Sequence, residues 1–315
     1  MVYAYGVTLQ GTYHVNNDIV CQDAHSIIKV DDHVAVAAVA DGLGSEDYSD
    51  VASRLAAEIS TKYCAEHITA DSSEREILDI IETAFHLALN SIDRTAGENG
   101  HDLDQYDTTL SLAVIRDGSL FYGQSGDSGI VALTTDGFYC KITEQQRDSH
   151  GCVYPLFFKD KWVFEKHKEK VVSVFLATDG MLETLFPIYI RNEEVNIYVA
   201  LANFFMNPET LKIDELGEEA IQEYMASFIE SIPDAQVNDD KTVVVMLDSD
   251  IEFKHQPESY YAEPDWIALK EKYDEEWKRA AYPHLYKDKE DVAEVIEATD
   301  DAIEFEVIID TEIEE

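Results

Sequence analysis

The chain has 315 residues, of which 45% are hydrophobic, and its 23 basic and 65 acidic residues give a formal net charge of −42 at pH 7. This composition is typical of a globular protein that buries a sizeable core, and it argues against intrinsic disorder. The charge excludes nucleic acids and anionic membranes as favourable partners, because their phosphates repel such a surface.

Three sequence features predict a cytoplasmic protein without a membrane span. No apolar run reaches the ~18 residues that a transmembrane helix needs. The first residues lack the basic stretch and apolar run that mark a secretory signal. The four cysteines are scattered without a CxxC pair, which favours reduced thiols over a disulfide framework or a zinc site.

The predicted elements alternate between short strands and amphipathic helices. From the amino end we expect strands at 4–10, 26–30 and 34–40, and then helices at 48–67 and 73–92. Strands joined by tight turns follow at 109–115, 119–124, 129–133 and 138–142. The pattern ends with a strand at 171–177, helices at 195–205 and 215–229, and a strand at 242–247.

Three of these strands carry an acidic residue at one edge. VADG ends one strand with Asp41, LATDG ends another with Asp179, and NDDKT places Asp239 before the last strand. A single Asp-Gly pair is a weak signal, because it is a common turn, and Asp136-Gly137 in TTDGF is interpreted as such a turn. Hard divalent cations prefer carboxylate and carbonyl oxygens, so convergence of the three edges would indicate a metal site.

Six short segments carry a family resemblance. They are GTYHVNNDIVCQDAH, VAAVADGLGSEDYSDVAS, DTTLSLAVI, GQSGDSG, FLATDGMLE and NDDKTVVVM. Each is unspecific alone, but six in this order across residues 6–247 are strongly specific. Together they resemble the metal-dependent protein serine/threonine phosphatases of type 2C, most closely their bacterial branch.

The resemblance implies an α+β fold, a four-layer α-β-β-α sandwich of two antiparallel sheets flanked by helices. The strand-rich, helix-flanked pattern is compatible with this architecture. We expect a phosphatase domain at 1–249 and an acidic C-terminal extension at 250–315.

The extension begins with a helical pattern. Trp266, Leu269, Tyr273 and Trp277 have the spacing of an amphipathic helix at about 264–281, which docks on the phosphatase core or binds a partner. An acidic tail follows, in which the alternating stretch at 302–310 adds as an edge strand, stays mobile or shields the basic surface of a protein partner.

The resemblance also implies the catalytic centre. It implies two Mn²⁺ or Mg²⁺ ions and a bridging water that attacks the phosphorus of a phosphoserine or phosphothreonine ester. Asp41 is then the bridging carboxylate, and Gly42 supplies a backbone carbonyl. Asp179 and Asp239 complete the shell of one ion.

Two further acidic residues and two departures complete the assignment. Asp23 holds metal-bound waters, and Asp127 in SGDSG matches a position that helps to hold a third ion in some members. Leu43 stands where eukaryotic members have a candidate general-acid histidine, and Asp18 stands where members often have a phosphate-binding arginine. His14 in the same segment substitutes for that arginine, or it only caps a turn or packs beside a strand.

The implied function is hydrolysis of phosphoserine and phosphothreonine on a phosphoprotein, in opposition to a serine/threonine kinase. The alternative is a phosphatase-fold binding or regulatory module with poor turnover, which the missing arginine and the acidic extension favour. The full set of ligand residues favours the enzyme. A small phosphoester stays open as a substrate, because the reaction centre contacts mainly the phosphoryl group.

Overall fold

The structure is a computed structural model that describes residues 1–285. Its strands are β1 (Val2–Leu9), β2 (Asp23–Lys29), β3 (Val34–Asp41), β4 (Leu110–Arg116), β5 (Ser119–Ser125), β6 (Gly129–Thr134), β7 (Tyr139–Lys141), β8 (Val163–Lys166), β9 (Val171–Ala177) and β10 (Lys241–Asp248). Its helices are α1 (Thr12–Asn16), α2 (Ser49–His67), α3 (Glu74–Asn99), α4 (Asp179–Leu185), α5 (Val199–Met206), α6 (Pro208–Leu211), α7 (Ile213–Leu216), α8 (Glu218–Glu230) and α9 (Trp266–Ala281).

The strands pair antiparallel into two five-stranded sheets, ordered β1–β10–β9–β6–β7 and β2–β3–β4–β5–β8. Buried apolar residues fill the space between the sheets, for example Ala37 of β3 and Val174 of β9. Helices α2 and α3 cover the outer face of the second sheet. Helices α4, α5 and α8 cover the outer face of the first sheet. The predicted four-layer α-β-β-α sandwich is therefore confirmed.

The position of β3 explains its continuous run of small apolar residues. Every residue from Val34 to Ala40 is at most 2% exposed. Side chains alternate along a strand, so Ala37 packs between the sheets while Val36 packs beneath the helices. A strand covered on both faces has no solvent-facing positions for polar residues. The run ends at Asp41, which is only partly buried.

All the predicted strands and helices are present, with shifted ends. Helix α3 extends past the predicted end at residue 92, because its apolar stripe continues to the buried Ala96 and stops at Gly100, whose φ is 73°. Its start is fixed by a capping box. Ser73 Oγ accepts a hydrogen bond from Glu76 N at 3.2 Å, and the Glu76 carboxylate accepts one from Ser73 N at 2.7 Å.

Strand β8 and the short helices α1, α4, α6 and α7 are additions to the predicted pattern. Strand β8 is a four-residue edge strand that pairs with β5 through residues such as Gly123 and Phe164. Helix α4 follows β9 directly and carries Asp179 in its first turn. Among the described residues, no helix combines the length and apolar character that a membrane span requires.

The chain divides into two compact units, Met1–Glu263 and Pro264–Glu315. The first unit continues past the predicted boundary at residue 249, because the segment that follows β10 bonds back to the first sheet. Lys254 N donates to Thr135 O at 2.9 Å.

The second unit contains α9, which lies in the range where the sequence predicts an amphipathic helix. Asp265 caps its first turn, since its Oδ1 accepts a hydrogen bond from Ala268 N at 3.1 Å. The strand suggested at 302–310 lies outside the described residues.

Candidate metal centre

Four strand ends meet at one end of the sandwich. In an antiparallel pair the carboxyl end of one strand lies beside the amino end of the other. Asp41, at the end of β3, is therefore the register partner of Asp23, at the start of β2. Likewise, the end of β9 lies beside the start of β10, so that Asp179, just after β9, and Asp239, just before β10, come to the same region.

The backbone of Asp41 is held on both sides. Its N–H donates to Thr109 Oγ1 at 2.9 Å. Its carbonyl oxygen accepts hydrogen bonds from Thr109 N at 2.8 Å and from Thr108 Oγ1 at 3.0 Å. With its backbone groups engaged in this way, Asp41 has a fixed position from which only the carboxylate is left to bind a ligand.

The carboxylates of Asp41, Asp127 and Asp179 form a cluster in which one oxygen from each lies within 4.8 Å of the others. Burial and the negative charges of its neighbours, among them Asp23 and Asp239, raise the pKa of Asp41 well above its ordinary value. Burial, together with repulsion by Asp179, likewise raises the pKa of Asp127 to about 6. A cation bound among these oxygens would relieve both effects.

Asp23 lies beneath this cluster and is 8% exposed. Its Oδ2 accepts a hydrogen bond from Thr178 Oγ1 at 2.7 Å, which links it to the residue before Asp179. Burial raises the pKa of Asp23 well above its ordinary value, and the hydrogen bond from Thr178 only partly opposes that rise. The structure therefore places Asp23 beside Asp41 and close to Asp179.

A second acidic group contains His14, Asp239 and Asp240. His14 is 6% exposed. Its Nδ1 lies 2.9 Å from Asp240 Oδ1, and its Nε2 lies 3.6 Å from Asp239 Oδ1. Burial raises the pKa of Asp239. His14 therefore lies beside one of the predicted metal ligands.

Asp240 is a site residue that the sequence reasoning missed. It is 4% exposed. Its Oδ1 accepts a hydrogen bond from Gly11 N at 2.7 Å, and its Oδ2 accepts one from Gln22 N at 2.6 Å. Asp240 thus holds both ends of the segment between β1 and β2, which carries His14 in α1 and leads into Asp23 at the start of β2. The available signal was the second aspartate of NDDKT, directly before a buried strand.

Gly42 has no room for a side chain. Its N–H donates to Gln22 O at 3.1 Å. A Cβ at this position would lie 2.6 Å from Ser49 O and 2.8 Å from Gln22 O, both backbone atoms that cannot move easily. Only glycine lets the backbone beside Asp41 run this close to its neighbours.

Arg147 is the second residue that the sequence reasoning missed. It lies in the loop between β7 and β8, and its Nη2 is 2.6 Å from Asp127 Oδ2 and 2.9 Å from Asp179 Oδ2. The contact with Asp179 is a hydrogen bond, whereas the one with Asp127 is an ion pair without hydrogen-bond alignment. Sequence spacing gives no signal for it, because only the folded loop brings Arg147 to the cluster.

Asp18 and Leu43, the two departures from the family pattern, are not members of the carboxylate cluster. Asp18 is exposed and has a left-handed backbone with φ of 57°. Leu43 follows Gly42, and its N–H donates to Asp107 O at 3.0 Å.

The chemistry of these residues fits divalent metal ions. The donors are carboxylate oxygens, which hard cations such as Mg²⁺ and Mn²⁺ prefer. The cluster brings together the buried Asp127 and the half-buried Asp41 and Asp179, with the buried Asp23 close by. Such a set is costly without a positive counter-charge, so it fits a site that binds cations.

The sequence matches a family model described as "Protein phosphatase 2C" over residues 10–211. This range includes Asp23, Asp41, Asp127 and Asp179 and ends before Asp239. No curated protein matches the sequence.

Several solved structures share the fold. A bacterial serine phosphatase is 13% identical, with a TM-score of 0.54, and the match covers 81% of this chain and 100% of that one. The serine/threonine phosphatase Stp1 from Staphylococcus aureus is 15% identical, with a TM-score of 0.52 and coverage of 78% and 95%. The catalytic domain of the serine/threonine phosphatase PstP, solved with two manganese ions, is 16% identical, with a TM-score of 0.52 and coverage of 78% and 97%.

Proposed function

The chain belongs to the protein phosphatase 2C family, and we propose that its metal-dependent hydrolysis of phosphoserine and phosphothreonine takes place where Asp41, Asp179 and Asp239 meet. One observation carries this proposal. Antiparallel pairing brings the ends of separate strands together, so that carboxylate oxygens of Asp41, Asp127 and Asp179 lie within 4.8 Å of one another. Carboxylates packed this closely are suited to holding cations.

Asp41, Asp179 and Asp239 would hold two Mn²⁺ or Mg²⁺ ions, together with the backbone carbonyl of Gly42. Such ions supply a water that is a nucleophile near neutral pH and positive charge for the phosphoryl oxygens. The chain itself fixes the ligands. Thr108 and Thr109 hold the backbone of Asp41, and Thr178 holds the carboxylate of Asp23, which lies close enough to orient water.

We propose His14 as a contact for the substrate phosphate in place of the missing arginine. Its Nε2 lies 3.6 Å from Asp239 Oδ1, which supports a position at the edge of the metal centre. Asp18, the residue aligned with the usual arginine, is exposed and negatively charged, so it cannot do this work. Among the described residues, His14 is the basic residue that lies within 4 Å of the Asp239 carboxylate.

A cavity of about 670 Å³ beside α4 supports a phosphoprotein as the substrate. Its lining includes Glu183, one turn after Asp179, and also Phe186, Lys141 and Arg191. Walls that combine apolar side chains with charges of both signs next to the centre suit the residues that flank a phosphorylated side chain. A small phosphoester would leave this cavity unused.

The biological setting follows as a further part of the proposal. Removal of phosphate from serine and threonine opposes a serine/threonine kinase. The four free cysteines support a reducing, cytoplasmic compartment. The acidic C-terminal extension would bind a protein partner, since a surface of this charge suits basic surfaces.

Hydrolysis of p-nitrophenyl phosphate and of a phosphothreonine peptide tests the proposal, with EDTA, Mg²⁺ or Mn²⁺ in parallel. We expect turnover that requires a metal and is lost in Asp41→Asn and Asp179→Asn, because each removes a ligand charge without changing side-chain size. Asp136→Asn is the matched control, since Asp136 also lies in a Thr-Asp-Gly turn but is exposed and paired with Lys254.

Normal rates in Asp179→Asn would contradict the assignment of the site. A folded wild-type protein without turnover on either substrate, under any of the metals, would favour the alternative of a phosphatase-fold binding module.

A further inference from the structure

Arg147 pairs with two carboxylates of the candidate metal centre, and the proposed phosphatase mechanism assigns no role to this arginine. Among the ion pairs of residues 1–285, those of Arg147 are the ones in which a lysine or arginine meets a proposed metal ligand. Resting on the proposed function, we propose that Arg147 is a built-in third cation. Its guanidinium occupies the position between Asp127 and Asp179, so the chain binds two divalent ions there and not three.

The distances support this replacement. A single nitrogen, Nη2, lies 2.6 Å from Asp127 Oδ2 and 2.9 Å from Asp179 Oδ2. A divalent ion shared by the same two oxygens would have to lie at roughly 2.0–2.6 Å from each. The guanidinium and a third ion therefore compete for one position.

The loop that carries Arg147 is anchored, so its side chain is not a loose arm. Gln146 exchanges two hydrogen bonds with Gly126, since its N–H donates to the glycine carbonyl at 3.0 Å and its Oε1 accepts from the glycine N–H at 3.0 Å. Gln146 Nε2 also donates to Lys161 O at 2.9 Å. The neighbour of Arg147 is thus tied to the residue that precedes Asp127.

The far side of the loop closes in the same way. Arg147 pairs with Val153 in an isolated bridge. Asp148 Oδ1 accepts hydrogen bonds from His150 N at 2.7 Å and from Cys152 N at 2.9 Å. The turn is therefore held by its own bonds, and it presents Arg147 to Asp127 in a fixed direction.

Charge explains why an arginine suits this position. Asp127 is 2% exposed, and a buried carboxylate needs a positive partner. The guanidinium keeps its charge at every working pH, and its planar set of donors can serve two carboxylates at once. Arg147 thus supplies part of the positive charge that a third ion would bring to Asp127, at the position that this ion would occupy, and it acts as a positioning residue for Asp179.

Counting bound metal tests the proposal. Equilibrium dialysis against Mn²⁺ in 0.15 M KCl, which screens the exposed carboxylates, gives the number of ions per chain. We expect two for the wild type and three for Arg147→Gln. Arg147→Lys keeps a cation and should return the number to two. Arg75→Gln is the matched control, because Arg75 is an exposed arginine of α3 whose side chain is 91% exposed.

A double variant locates the extra ion. Asp127→Asn combined with Arg147→Gln should again bind two ions, since the third needs the Asp127 carboxylate. The role of Arg147 would be overturned if the wild type bound three Mn²⁺ ions, or if Arg147→Gln bound two with unchanged affinity for Mn²⁺. Either result would leave the proposed function intact. A wild-type chain that binds no Mn²⁺ would overturn both.

Discussion

Replacement of Asp127 by asparagine should stabilise the metal-free protein, although Asp127 belongs to the centre. The side chain is 2% exposed. Burial, together with repulsion by Asp179, raises its pKa from 3.8 to about 6, in spite of the opposing charge of Arg147. The fold therefore prefers the neutral form, and asparagine has nearly the same shape as a protonated aspartate without the charge.

The raised pKa sets the size and the pH dependence of this effect. A group with a raised folded-state pKa contributes stability that is present at low pH and is lost as the pH rises through the folded pKa. For Asp127 the loss runs between about pH 4 and pH 6 and amounts to about 3 kcal/mol at pH 7.5. At pH 5 about half of this loss has occurred.

Urea unfolding followed by tryptophan fluorescence in EDTA measures the difference. We expect Asp127→Asn to exceed the wild type by about 3 kcal/mol at pH 7.5 and by about 1.5 kcal/mol at pH 5. Asp71→Asn, an exposed aspartate, should stay within about 0.5 kcal/mol of the wild type at both pH values. A destabilised Asp127→Asn variant, or a difference that does not grow with pH, would refute the reasoning.

Three further predictions concern a glycine, a helix cap and His14. Gly42→Ala should lower the free energy of unfolding by about 1–3 kcal/mol and weaken Mn²⁺ binding in calorimetry, because its Cβ would meet backbone oxygens. Gly97→Ala is the control: the space around Gly97 in α3 is open, so this variant should be more stable than the wild type by about 0.5–1 kcal/mol. Ser73→Ala should cost about 1 kcal/mol in urea unfolding through loss of the cap of α3; an unchanged midpoint would contradict that role. His14→Ala should raise KM for a phosphothreonine peptide with little change in kcat; an unchanged KM with weaker Mn²⁺ binding would assign His14 to positioning Asp239.

The elements that the sequence predicted well are those with strong local patterns. The continuous apolar run of β3 is typical of a strand that is buried on both faces, and the apolar periodicity of α3 begins where the structure starts that helix. Strand β8 was missed because Val163–Lys166 is short and half-exposed, so that its pairing with β5 depends on the rest of the sheet. The end of α3 was predicted too early, at residue 92, because after Ile92 the last turns contain only one more buried residue, Ala96, before Gly100.

The site was predictable only as far as residue type and segment order allowed. Asp41 ends a buried strand and Asp179 follows one closely, and this position is visible in the sequence. The roles of Asp240 and Arg147 depend on contacts across the fold, since Asp240 bonds to Gly11, 229 residues away, and Arg147 reaches Asp179 from a loop 32 residues earlier. The sequence shows that Asp240 precedes a buried strand, but it does not show which distant residues Asp240 and Arg147 contact.

The large negative charge of the chain raises the question of why metal ions should prefer this centre to the many other carboxylates. An exposed carboxylate is already stabilised by water, so a cation that binds it gains little free energy. Asp23 and Asp41 are different, because burial and repulsion by neighbouring carboxylates raise their pKa values well above the ordinary range. A cation that binds there would remove that cost. On the proposed assignment, preference for this centre would therefore come from the desolvation of its carboxylates, and Arg147 would limit the number of bound ions by supplying part of the positive charge from the chain itself.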